Sequence, residues 1–89
     1  MKDMFTVYTL YSPAYDKIYI GHSSNFSRRL TSHNEKGKKG WTVKYRPWKV
    51  VFTENYKTKK EAMRRERELK TARGRSYIWE VVGKKFGER

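Results

Sequence analysis

Between residues 4 and 11 the chain reads Met-Phe-Thr-Val-Tyr-Thr-Leu-Tyr, β-branched or aromatic at nearly every position, a run that favours a strand. Ser12-Pro13-Ala14-Tyr15-Asp16 supplies turn chemistry, since Pro presets φ and Asp can bond its own backbone. Lys17 to Gly21 reads as a second strand, and the two should close as an antiparallel hairpin. Gly21 ends it, where backbone turns sharply or approaches something closely. Ser23, Ser24 and Asn25 are N-cap candidates for a helix expected over Phe26–Asn34. Glu35 to Gly40 holds two glycines and three lysines, which predicts a mobile basic loop continuing through Trp41 to Pro47. Trp48–Glu54 predicts a third strand. Thr58-Lys-Lys-Glu61 fits a capping box that opens a helix running to about Thr71. Arg73-Gly74-Arg75 is expected to interrupt, and a short last helix over Ser76–Val82 would set Tyr77, Ile78, Trp79 and Val82 on the core. The order β-β-α-β-α-α specifies an α+β domain, a three-stranded antiparallel sheet flanked by helices. One domain is expected over residues 1–89, with its core at about 4–82 and a frayed basic tail at 83–89.

Three side chains break the hydrophobic pattern. On a wheel of 100° per residue with Ala62 at the origin, Leu69 falls at about −20° and Glu66 at about 40°, inside the apolar stripe. Arg64, Arg67 and Glu68 lie on the solvent side. A carboxylate aimed at a core needs a cation or a strong donor to meet it. In the Phe26–Asn34 helix, Leu30 and His33 share the face of Phe26, and Arg29 lies at its edge, four residues before His33. Arg28 points outward. Tyr8 and Tyr19 sit on adjacent strands, where a short turn brings such a pair onto one face. Each has an ordinary explanation: a structural salt bridge for Glu66 or Arg29, a satisfied core histidine, packed tyrosines with wet hydroxyls. Together they outline one pocket of two phenols, a guanidinium, an imidazole and an acid.

Composition narrows the partner. Twenty-two Lys and Arg stand against 9 Asp and Glu, a net charge of +13, yet 36% hydrophobic and 16% aromatic residues are too many for a chain that cannot collapse. With no cysteine there is no disulfide framework, thiolate metal site or cysteine nucleophile. No apolar run approaches a membrane span, and the first residues lead into strand-like sequence rather than a signal-peptide core. A cytoplasmic domain bound to no membrane is expected, with nucleic acid as the polyanion its field attracts. Lys36, Lys38, Lys39, Lys44 and Arg46 in the long loop, with Lys57, Lys59 and Lys60, are the candidates for tracking phosphates; a solvated surface is their ordinary role. Trp41 and Tyr45 either stack on an unpaired base or close the core over the sheet.

Thr6-Val7-Tyr8, ten intervening residues, then Tyr19-Ile20-Gly21 resembles the two signature elements of the GIY-YIG nuclease superfamily, with Thr6 where the signature's name has glycine. The stretch from His22 to Leu30, His33-Asn34, Arg46 to Phe52 and Glu61 to Lys70 is similar to its small single-domain branch, related to the N-terminal nuclease domain of excinuclease C, a DNA-repair protein. The likeness covers about residues 4–82. It implies phosphodiester hydrolysis in DNA with one divalent ion, Mg²⁺ or Mn²⁺. By that match Glu66 is the metal ligand, Arg29 binds the scissile phosphate, Tyr8 and Tyr19 lie beside the attacking water, and His33 supports the tyrosines or takes part in proton transfer.

The chemistry is coherent. Mg²⁺ keeps most of its waters, so a single carboxylate suffices, and a planar guanidinium can bind two phosphate oxygens. A free tyrosine is phenolate in only about one molecule in a thousand at pH 7. Cationic surroundings are expected to favour the phenolate, making Tyr8 the general base, Tyr19 the positioning group and His33 the second candidate base. A metal-dependent DNA endonuclease of broad or structure-directed specificity follows, with a protein partner supplying any long-sequence specificity. The competing function is a non-catalytic nucleic-acid-binding module of the same fold, and RNA stays open as a ligand.

Overall fold

The computed structural model describes residues 4–36 and 40–87, apart from the side chain of Lys36. Strands β1 (Phe5–Ser12), β2 (Lys17–Ser23) and β3 (Lys49–Tyr56) form one antiparallel sheet in the order β2-β1-β3. The helices are α1 (Phe26–Thr31), α2 (Lys59–Leu69) and α3 (Ala72–Phe86). β1 is therefore the central strand, and its run of aromatic and β-branched residues, buried from Val7 to Ser12, reflects cover on both faces. Val7 and Tyr11 pack with Ile18, Ile20, Val51, Ala62, Leu69, Ile78 and Val82 on the side of α2 and α3. Tyr8 and Leu10 pack with Trp48, and with Tyr19, Phe26 and Leu30, on the side of α1. β2 lies at an edge, and this decides where the site can open.

The hairpin turns through Asp16 at φ 55, a left-handed conformation that Asp tolerates, and the Asp16 carboxylate accepts the Tyr11 hydroxyl at 3.0 Å. In β3 the register slips. Thr9 faces Phe52 and Leu10 faces Val50, so Val51 is the extra residue of a bulge. Its carbonyl receives Lys85 Nζ from α3 at 2.9 Å. Thr58 and Glu61 form the expected capping box. Arg65 clamps α2 to β3 by donating from Nε and Nη2 to the two oxygens of Glu54 at 2.8 and 3.3 Å.

Five expectations change, the first being Tyr77, which stands 46% exposed instead of covering the core with Ile78 and Val82. The helix expected to Asn34 keeps α geometry only to Thr31; Ser32–Lys36 widens into a π turn. Side chains take over its backbone. Arg46 donates to the carbonyls of His33 and Ser32 at 2.6 and 3.0 Å, while Asn34 bonds the N–H and C=O of Trp48 at 2.6 and 3.0 Å. The loop that follows contains a 3₁₀ helix, Trp41–Tyr45, which has no hydrophobic period to announce it; Gly37–Lys39 lie outside the described residues. Gly74 does not interrupt a helix but sits inside α3. The break falls at Lys70–Thr71, where Thr71 caps α3 by accepting from Gly74 N–H at 3.1 Å. The tail does not fray at Gly83 either, because α3 continues to Phe86, whose ring lies 5.4 Å from that of Tyr11. Glu88 and Arg89 lie outside the described residues.

Gly74 is where the two helices touch. A Cβ there would stand 2.3 Å from Glu68 O and 2.5 Å from Leu69 Cα, both backbone atoms that cannot swing away. Gly83, in the same helix, would meet nothing within 4 Å. Gly74→Ala is expected to destabilise the protein by about 1–3 kcal/mol or more, whereas Gly83→Ala should stabilise it by about 0.5–1 kcal/mol through helix propensity. Denaturant midpoints check the pair; equal midpoints for the two variants would contradict this contact.

Candidate functional site

Period-two alternation on β2 sorts its side chains. Tyr19 and Gly21 face α1, whereas Ile18, Ile20 and His22 face α2. Gly21 pairs directly with Tyr8. The space its missing side chain leaves is filled by the phenol, since a Cβ on Gly21 would be 2.8 Å from Tyr8 Oη and 3.1 Å from Tyr19 Cε2. The Tyr8 and Tyr19 rings lie 6.2 Å apart on one face, as the hairpin arithmetic implies.

His33 meets them from the π turn. Its Nε2 is 3.0 Å from Tyr8 Oη, its Nδ1 is 3.0 Å from Thr42 Oγ1, and its ring centroid is 4.8 Å from that of Tyr19. Burial, then the neighbouring charges of Arg29 and Arg46, lowers the His33 pKa from its ordinary 6.5, so the imidazole is neutral at pH 7. Tyr8 moves opposite to the sequence expectation. Burial pushes its hydroxyl up to about 12; the Arg29 guanidinium beside it favours the phenolate, but Tyr19 and the Glu66 charge add to the rise. The cationic surroundings do exist, and desolvation of a fully buried ring outweighs them. At neutral pH Tyr8 is a phenol.

Glu66 approaches from the other side of the same strand. One carboxylate oxygen accepts from His22 Nδ1, and the other takes Lys70 Nζ at 2.6 Å, one helical turn on. Its cation is thus Lys70 rather than Arg29. With 17% of its side chain exposed, burial would raise its pKa, but Lys70 and His22 outweigh this and hold it below 4.5. The carboxylate stays ionised. A hard, ionised oxygen donor open to solvent on one side fits a divalent ion that retains most of its waters. No group of three or more His, Cys, Asp or Glu is gathered among the described residues, so water and phosphate oxygens would complete such a shell. Arg29 is exposed on α1 and, with Ser23, Asn25, Arg28 and Ser32, lines a depression of about 370 Å³ beside the end of β2.

The phosphate-tracking candidates divide. Lys44, Lys57, Lys59 and Lys60 are exposed, Lys44 on the 3₁₀ helix, Lys57 between β3 and α2, and Lys59 and Lys60 at the start of α2. Arg46 instead directs its guanidinium at the carbonyls of Ser32 and His33, and so shapes the turn that carries His33. Lys38, Lys39 and the side chain of Lys36 lie outside the described residues. Two residues of the site escaped sequence reasoning. His22 had a signal, being a polar side chain in the period-two series Ile18, Ile20, His22 that faces the core. Thr42, which orients His33, had none.

A family model described as the GIY-YIG catalytic domain matches residues 4–78 of this chain. The UPF0213 protein of Staphylococcus haemolyticus is 42% identical over 57 residues, spanning 63% of this chain and 68% of that protein. UPF0213 proteins of Staphylococcus epidermidis and Staphylococcus aureus are 42% and 37% identical over 55 and 54 residues, each spanning 61% of this chain and 66% of the relative. The chain therefore spans about two thirds of the length of these relatives. No solved structure gives a significant match. No helix among the described residues is long and apolar enough to cross a membrane.

Proposed function

This chain belongs to the GIY-YIG family, and we propose that it is a metal-dependent endonuclease hydrolysing phosphodiester bonds in DNA. The family carries nuclease-type function; the metal, the polymer and the residue roles are the parts proposed. One observation supports them above all. Tyr8, with His33 and the Arg29 guanidinium beside it, meets edge strand β2 at Gly21, the Glu66 carboxylate meets the same strand one residue on, at His22, from the other side, and the charges of Arg29 and Glu66 both reach the Tyr8 hydroxyl.

Glu66 is the residue that would hold Mg²⁺ or Mn²⁺. Such an ion supplies Lewis-acid neutralisation at the phosphate and at the leaving oxygen. Arg29, exposed and paired with no carboxylate among the described residues, binds two oxygens of the scissile phosphate with its planar fork. Tyr8 acts as a phenol rather than a phenolate. Its oxygen takes the proton of the attacking water while its own proton passes to His33 Nε2 across the 3.0 Å contact. His33 can receive it because burial keeps the ring neutral, with Nδ1–H donating to Thr42 Oγ1 in that tautomer. Tyr19 orients water and phosphate.

The relay makes a pH prediction. Protonating His33 in advance blocks it, so nicking of supercoiled plasmid should fall on the acid side, below pH 6.5, because the folded pKa is lowered. The rate should stay level through neutrality and vanish with EDTA. Tyr8→Phe should lose about 10²-fold or more. A rate that instead climbs tenfold per pH unit towards pH 10 would mean that the phenolate acts, and an unaltered Tyr8→Phe rate would remove Tyr8 from the reaction. A second reading is favoured by the two contacts that already hold both Glu66 oxygens, namely a nucleic-acid-binding module without cleavage. Metal-independent, salt-sensitive binding with no nicking at any pH would establish it.

A further inference from the structure

As one of the two edge strands, β2 leaves a groove of about 590 Å³ along its outer side. Trp41 stands on the Tyr19 side of this groove, Lys70, Arg75 and Trp79 stand on the helical side, and Lys17 lies at one end. Trp41 is the anomaly. It is 46% exposed, yet fixed by three other rings, with Tyr45 at 4.7 Å, Trp48 at 5.7 Å and Tyr19 at 6.4 Å, the last inclined by only 28°. Core closure does not need its open face. Trp48 already seals that layer, at 3% exposure and with Nε1 donating to Thr42 O at 2.8 Å. Charge in the groove is one-sided. Among the described residues that line it, Lys17, Lys70 and Arg75 face one carboxylate, Asp16, which the Tyr11 hydroxyl also engages, while Lys70 reaches out of the groove to Glu66 at 2.6 Å and leaves Lys17 and Arg75 as its cations without a carboxylate partner.

We propose that this groove binds an unpaired nucleotide, its base stacked on the open face of Trp41 and the adjoining phosphates along Lys17, Lys70 and Arg75. A paired base presents its faces to its neighbours in the duplex, so Trp41 can stack only on a base that has left the helix or was never in one. A rigid aromatic beside cations is the surface that single strands recognise without sequence readout. Because Trp41 adjoins Tyr19, the unpaired base lies next to the bond to be cut. The inference rests on the nuclease reading of that site and narrows its substrate to nucleic acid with a single-stranded segment at the scissile position.

Binding is measured in EDTA, where no cleavage occurs, by anisotropy and tryptophan quenching with oligothymidine, oligouridine and a blunt DNA duplex. Trp41→Ala should weaken binding to the single strand about tenfold or more and leave duplex binding within about twofold. The salt slope should be unchanged, since no phosphate contact is lost. Trp41→Leu, which keeps apolar bulk without a π face, should behave as Trp41→Ala, and Trp41→Tyr should restore most of the affinity. Preference for oligothymidine assigns the groove to DNA; equal binding of oligouridine assigns it to unpaired bases of either polymer. Unchanged single-strand affinity in both Trp41→Ala and Trp41→Leu, or an equal loss on the duplex, overturns the proposal. Failure of the nuclease reading looks different, as stacking that persists in a protein that never nicks.

Discussion

Gly21→Ala is expected to lower cleavage by about 10²-fold or more and to destabilise the fold by about 1–3 kcal/mol. The new methyl carbon would stand 2.8 Å from Tyr8 Oη, 3.0 Å from Tyr8 Cζ and 3.1 Å from Tyr19 Cε2. Neither ring can yield cheaply. Tyr8 is fully buried, held by His33 at 3.0 Å and packed against Phe26 at a centroid distance of 5.1 Å. Relieving the contact therefore moves the hydroxyl away from His33 Nε2 or drives β2 away from β1, and either displaces a reacting group. Nicking rates together with denaturant midpoints measure the two effects. A Gly21→Ala protein that cuts and unfolds like the wild type would show that the Tyr8 hydroxyl does not depend on this gap.

Glu66→Gln is expected to reduce cleavage by about 10³-fold or more, the size of several kcal/mol of lost transition-state stabilisation. An amide is nearly isosteric with the carboxylate but holds a divalent ion poorly. Binding of DNA should be retained or slightly strengthened, because removing one negative charge leaves Lys70 unopposed beside the site. The structural cost is small. Lys70 is half exposed, and an i, i+4 pair of this kind is worth about 0.3–0.5 kcal/mol. The sign with pH is fixed by the lowered carboxyl pKa. Ionised Glu66 contributes stability above 4.5, and that contribution fades as pH falls through the lower folded value. The melting curves of wild type and Glu66→Gln should therefore converge in acid. Loss of binding along with cleavage would assign Glu66 to the fold rather than the reaction.

How far the sequence carries can be seen at individual residues. Thr58 and Glu61 specify their helix start outright, because a capping box is local chemistry. The hairpin and the tyrosine pair follow from strand period and turn residues, which are local as well. Glu66 was legible as a carboxylate in an apolar stripe, but its partners were not, since His22 is 44 residues distant in the chain and meets it only when α2 folds onto the edge strand. The π turn at Ser32–Lys36 was invisible for a similar reason. It depends on Arg46 and on Asn34 reaching Trp48, contacts set by tertiary structure. Gly74 misled because glycine signals both a helix break and a close helix crossing, and only the position of Glu68 and Leu69 decides between them. For Tyr8, charge favoured the phenolate, whereas burial, which a sequence does not display, set the direction.

The convergence on β2 is tested most directly by titrating Mn²⁺ into the labelled protein and following paramagnetic broadening of its amide signals, with Glu66→Gln alongside. Signals of Gly21, His22, Tyr8 and Glu66 should broaden first in the wild type, and the same additions should leave them sharp in Glu66→Gln. Broadening centred elsewhere, or identical in the two proteins, would contradict a metal site shared by that carboxylate and the buried phenol.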